Sequence, residues 1–216
     1  MNFSNSLQSA KPVALAAQIN RGKMRDKVLD IIIELVKGVK NNEQIVSHEH
    51  KLGNIKYLLN QTIRQIQVPQ DHYYISKEAQ QLWSELTNEN IEDYVYTDQV
   101  PLKPDVKPEI LQQTKYYVGA SKEPQCLKDK ISRGKFQYNH VFHDEHMISI
   151  DTIINKLINF KKLNYNNVKN CLNNIYICRI TKQENIALDK VSRNKRPYDL
   201  EQVKQLYERA KIEVTQ

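Results

Sequence analysis

Three histidines and two acids fall within seven residues of this chain: His140, His143, Asp144, Glu145 and His146. An imidazole titrates near neutrality, so it can accept a proton from water without a strongly perturbing environment. A neighbouring carboxylate is a hard oxygen ligand suited to Mg²⁺, which keeps several of its waters when bound. Together they are the ingredients of phosphodiester hydrolysis. A second stretch, Asn173 to Asn185, reads as a strand running into a helix that carries Glu184, Asn185 and Asp189. The layout strand, excursion, strand, helix can bring the two groups together. One constraint applies: successive side chains of a strand face opposite ways. Glu145 and His146 therefore serve one site only where the strand ends or twists.

The bulk properties suit such a role. With 216 residues the chain has room for one large domain or two small ones. Its formal charge of +7 suits a polyanionic partner. Cys126, Cys171 and Cys178 form no CxxC pair, which excludes a Cys-rich zinc knuckle and reads as reduced thiols in a cytoplasmic protein. No apolar run approaches the length of a membrane span, and the first residues do not read as a secretory signal. No membrane partner is expected. Only 5 glycines are present, and neither a phosphate-cradling GxGxxG or GxxxxGK[ST] loop nor a GxSxG elbow occurs.

The elements that must position the chemistry follow from periodicity and caps. Apolar residues at helical spacing predict helices over about 22–39 and 50–66. Asp71 to Tyr74 reads as a turn, and Ser76 as the N-cap of a helix over 77–86. Four prolines between Pro101 and Pro124 place a linker near 98–110, with a short strand at Tyr116 to Val118. Beyond it come a strand at about 137–143, a helix capped by Asp151 and a strand at 174–180. A helix from Thr181 follows, with the capping box Thr181-Lys-Gln-Glu184, and last a helix capped by Asp199. The expectation is an α+β protein with a helical domain over 1–97. A second domain over 98–216 would hold the two strands, the following helix and the C-terminal helix.

Glu145-His146, Asn173-Asn174 and Asn185 resemble the motif residues of the HNH nucleases, the ββα-metal or His-Me finger family. That family commonly ends its first strand on Asp-His, Glu-His or His-His. It has a middle Asn near its second strand and a His or Asn on the helix that follows. The resemblance covers residues 137–191. It implies a ββα-metal unit in which His146 is the general base and Glu145 and Asn185 hold Mg²⁺, with Mn²⁺ able to substitute. The middle Asn, Asn174 or Asn173, would orient the His146 ring. Glu184 or Asp189 could take the ligand role of Asn185. Ser149 stands where a proline often follows the His pair, and the paired zinc cysteines of many members are missing.

Basic residues flank this region. Lys135, Arg179, Arg193, Lys195 and Arg196 would neutralise phosphates of double-stranded DNA, giving salt-dependent affinity. The plainer reading of such residues is a solvated face. A zinc site built on His143 and His146 would need two more ligands, with Cys178 the nearest candidate. Taken together, these features predict a Mg²⁺-dependent DNA endonuclease. Size and architecture suggest by analogy a type II restriction endonuclease, acting as a homodimer on a symmetric site. The rival expectation is a non-catalytic DNA-binding protein with a basic surface.

Overall fold

Apolar residues three or four positions apart build the first helices. In the computed structural model, which describes residues 27–41, 49–91, 105–117, 125–132, 137–192 and 196–216, residues 27–41 are helical (α1). Leu29, Ile32, Val36 and Val39 fall on one stripe of α1 and are buried. The next helix, α2 (Glu49–Arg64), buries Leu59 and Ile63. A Cβ on Gly38 would lie 3.9 Å from the Ile55 side chain, so α1 and α2 pack closely there.

A 3₁₀ turn at Gln70–His72 leads into β1 (Tyr73–Ser76) and α3 (Lys77–Thr87). Then come α4 (Pro108–Gln113), β2 (Lys115–Tyr116), β3 (Gln125–Cys126), α5 (Leu127–Ser132) and a single turn, α6 (Tyr138–Val141). The elements that carry the candidate site residues follow: β4 (Phe142–His146), α7 (Ile150–Ile158), α8 (Tyr165–Leu172), β5 (Ile177–Thr181) and α9 (Lys182–Val191). The chain closes with α10 (Leu200–Arg209) and β6 (Val214–Thr215). The class is α+β, with helices leading.

The main sheet is mixed, in the order β4-β5-β1-β6. β5 runs antiparallel to β4 and parallel to β1, and β6 runs antiparallel to β1. β2 and β3 form a separate antiparallel pair. On one sheet face Ile75 and Phe142 join a core with Ala79, Trp83 and Leu86 of α3 and with Tyr138 and Val141 of α6. The Trp83 ring meets the Phe142 and Tyr138 rings edge-on at 5.5 and 5.7 Å, an arrangement that aromatic quadrupoles favour.

Two compact units emerge. One takes Met1–Gln67 with Ile153–Asn173, the other Val68–Thr152 with Asn174–Gln216. The division differs from the expected boundary between 97 and 98. Residues 73–76 were expected to end a turn and precede a helix, yet they form a strand that pairs with β5 about a hundred residues on. That pairing draws β1 and α3 into the unit that holds the sheet. Residues 153–173, inserted between β4 and β5, belong instead with α1 and α2. Among the described residues, no helix is long and apolar enough to cross a membrane.

Candidate functional site

Backbone pairing fixes which side chains of β4 share a face. The ladder with β5 runs unbroken from Phe142 opposite Thr181 to His146 opposite Ile177. No bulge interrupts the pleat, so His143 and Glu145 share one face while Phe142, Asp144 and His146 share the other. The expected partnership of Glu145 with His146 is therefore corrected: the pleat separates them.

Glu145 instead joins His143. The His143 Nε2–H donates to Glu145 Oε2 at 2.7 Å. Arg196 Nη1 donates to the other carboxylate oxygen, Oε1, and to the His146 carbonyl at 2.8 Å. Arg196 is held in turn by its own carbonyl, which accepts from Thr152 Oγ1 at 2.9 Å. Side-chain exposure rises outward through the group: 2 % for Arg196, 18 % for Glu145 and 34 % for His143. Burial alone would push the Glu145 carboxyl upward. The His143 hydrogen bond and the Arg196 charge outweigh it, and Glu145 lies below the usual glutamate range. Lys182, at the first position of α9, feels the same carboxylate. Burial lowers its pKa and Glu145 partly offsets the fall.

The opposite face carries a second acid–arginine pair. Asp144 Oδ1 accepts from the Tyr138 hydroxyl at 2.9 Å and faces Arg179 Nε at 3.5 Å. Arg179 also donates to the Ile91 carbonyl at 3.0 Å and lies 5.2 Å from the centre of the Tyr73 ring. Burial raises the Asp144 pKa, with Arg179, Tyr138 and His143 opposing it.

The remaining expected residues fall as follows. The Asn174 amide donates to the Tyr198 hydroxyl at 3.0 Å. Asn185 is half-buried in the first half of α9, and Asp189 is exposed further along it. Glu184, the rival for the Asn185 role, turns inward. Its Oε2 accepts from the Ser76 hydroxyl at 2.6 Å and from the Thr181 amide at 2.8 Å. Ser76 accepts from Ala79 N and Thr181 from Glu184 N, so one buried carboxylate ties together the capped N-termini of α3 and α9. That role commits Oε2 of Glu184 to the scaffold. Arg179 and Arg196, expected on phosphates, bond to internal acids and carbonyls. Lys135, Arg193 and Lys195 lie outside the described residues.

A resident Mg²⁺ does not fit this arrangement. Both Glu145 oxygens are taken, one by a guanidinium and one by an imidazole N–H. Among the described residues no group of three His, Cys, Asp or Glu side chains is arranged to hold a metal ion. The pair expected for a zinc site is split as well: His143 and His146 face opposite ways on β4.

Sequence reasoning missed the two arginine partners and the Ser76–Glu184 clamp, all made across long stretches of chain. It also missed the His143–Glu145 pair. The signal that could have found it is local: two residues apart on a strand, His143 and Glu145 must share a face. A cleft of about 230 Å³ opens beside α3, the α4–β2 corner and the start of α9, where Gln81, Glu85, Gln113, Lys115, Lys182 and Gln183 line it. Lys182 thus lies both in the cleft and within reach of the Glu145 charge. Set against protein-family models, curated proteins and solved structures, the chain matches none of them.

Proposed function

We propose that the chain is a nuclease, hydrolysing phosphodiester bonds of double-stranded DNA with a β4 histidine as the proton acceptor. The observation that carries this reading is the partly exposed His143 imidazole held by an ionised Glu145 on an antiparallel β4–β5 pair that leads directly into α9. A general base must be oriented and reachable, and this one is both. The net charge of +7 favours a polyanionic substrate. A restriction endonuclease acting as a homodimer is the biological role that size and architecture suggest by analogy.

One observation favours a second reading, a non-catalytic nucleic-acid-binding protein. The carboxylate expected to hold Mg²⁺ already accepts on each oxygen from its own neighbours. The two readings part in a cleavage assay on plasmid and phage DNA with Mg²⁺, with Mn²⁺ or with EDTA. The nuclease reading expects discrete fragments from the wild type and none from a variant carrying His143→Ala and His146→Ala together. Salt-sensitive binding without cleavage in any buffer, unchanged in the variant, would establish the binding module instead.

A further inference from the structure

We propose that His143, rather than His146, accepts the proton of the attacking water, and that Glu145, clamped by Arg196, is the positioning residue that aims it. The inference rests on the nuclease reading and names the machinery of that site.

Three observations on one sheet face carry it. Glu145 presents one oxygen to each partner, so Arg196 fixes the carboxylate and the carboxylate fixes the imidazole. The donor in the 2.7 Å bond is Nε2–H, which leaves Nδ1 as the nitrogen with a lone pair. Among the described residues Nδ1 has no hydrogen-bond partner. The exposure gradient gives the group a direction, from a sealed guanidinium to an imidazole that solvent reaches. His146 sits on the far side of the pleat from this carboxylate.

The step balances with water as the only co-reactant. The water oxygen bonds to phosphorus while its O–H bond breaks and the proton passes to His143 Nδ1. The bond from phosphorus to the leaving oxygen breaks, and that oxygen receives the proton from the imidazolium. A phosphomonoester and an alcohol result, and His143 returns to its starting form. The positive charge on the ring is transient, and Glu145 beside it stabilises that charge. An ionised carboxylate already paired to an arginine does this without accepting the proton itself.

The test joins a spectroscopic arm to a kinetic one, on the full chain with ¹⁵N-labelled histidine. The wild type should show an Nε2–H resonance of His143 shifted by a carboxylate acceptor. Glu145→Gln should displace it, and His143→Gln should remove it. Unchanged His143 ring resonances in Glu145→Gln would overturn the positioning role. In cleavage, His143→Gln should slow turnover by about 100- to 10,000-fold, the usual contribution of a general base. His146→Gln should lose less. Glu145→Gln should reduce kcat without raising the Mg²⁺ or Mn²⁺ concentration at half-maximal rate. A raised metal requirement would make Glu145 a ligand and overturn the proposal. Thermal melting of each variant separates lost folding from lost chemistry. Cleavage that survives His143→Gln overturns this inference alone, whereas a wild type that cleaves no DNA overturns the nuclease reading with it.

Discussion

The two faces of β4 solve the same electrostatic problem in opposite ways. Each buries an acid against an arginine: Glu145 with Arg196 on one face, Asp144 with Arg179 on the other. Behind Asp144 stand Tyr138, Phe142 and Trp83, so burial dominates and its pKa rises. Glu145 has His143 on its outer side, and its pKa falls. Adjacent carboxylates driven apart in this way are a recognised mark of divided labour between structure and chemistry. The Asp144 face closes a core. The Glu145 face keeps a fixed charge next to a reachable imidazole.

The sharpest way to break that contrast is to remove the arginines in turn. Arg196→Met leaves a buried carboxylate without its cation, a change that costs about 3–5 kcal/mol in comparable pairs. Arg179→Met should cost less at pH 5 than at pH 7, because Asp144 escapes the penalty by taking a proton and its pKa is already raised. Urea denaturation of both variants at the two pH values measures this. Equal losses at both pH values for Arg179→Met would show that Asp144 does not respond as the core-facing acid.

How far the sequence foretold this arrangement depends on the range of each interaction. The caps were legible because they span three residues: Ser76 accepts from Ala79 N, Asp199 from Gln202 N, and the Thr181–Glu184 box forms in both directions. The start of β4 was not. Residues 138–141 form a helical turn because the His140 side chain accepts from the Gln137 amide at 3.1 Å, a cap no strand pattern announces. Ser149 rather than Asp151 caps α7, accepting from Thr152 N at 3.2 Å. β1 was hidden for a different reason. Four residues following a turn carry too little pattern, and only pairing with β5 makes them a strand. At the site, the types of residue were legible and the partnerships were not. The pleat gave His143 and Glu145 to one face, but nothing local links Arg196 to Glu145 or Ser76 to Glu184.

Glu184 makes the contrast more exact, since it shares the Glu145 side of the sheet and behaves like Asp144. Burial raises its pKa, and hydrogen bonds from Ser76 and Thr181 only partly offset the rise. Ser76→Ala removes a donor to this carboxylate and the cap of α3 in one change. The expected loss is about 1–2 kcal/mol, the range of a helix cap, with the cleavage rate per folded molecule unaltered. A rate that fell as far as in His143→Gln would place Glu184 in the chemistry instead of the scaffold.

The smallest effect is a change of slope. Glu145 has a folded pKa below its ordinary 4.5, so its ionisation stabilises the protein fully above that value and the contribution is lost as pH falls through the folded pKa. Asp144 has a folded pKa above its ordinary 3.8, so the sign reverses: its contribution is complete below that value and is lost as pH rises through the folded one. Over roughly pH 3 to 5 the two slopes oppose each other. Glu145→Gln should therefore flatten the fall of unfolding free energy on acidification, and Asp144→Asn should steepen it. Urea unfolding at closely spaced pH values resolves the two curves. If both variants changed the slope in the same direction, the two faces would share one electrostatic character, and the division between a structural acid and a working one would fail.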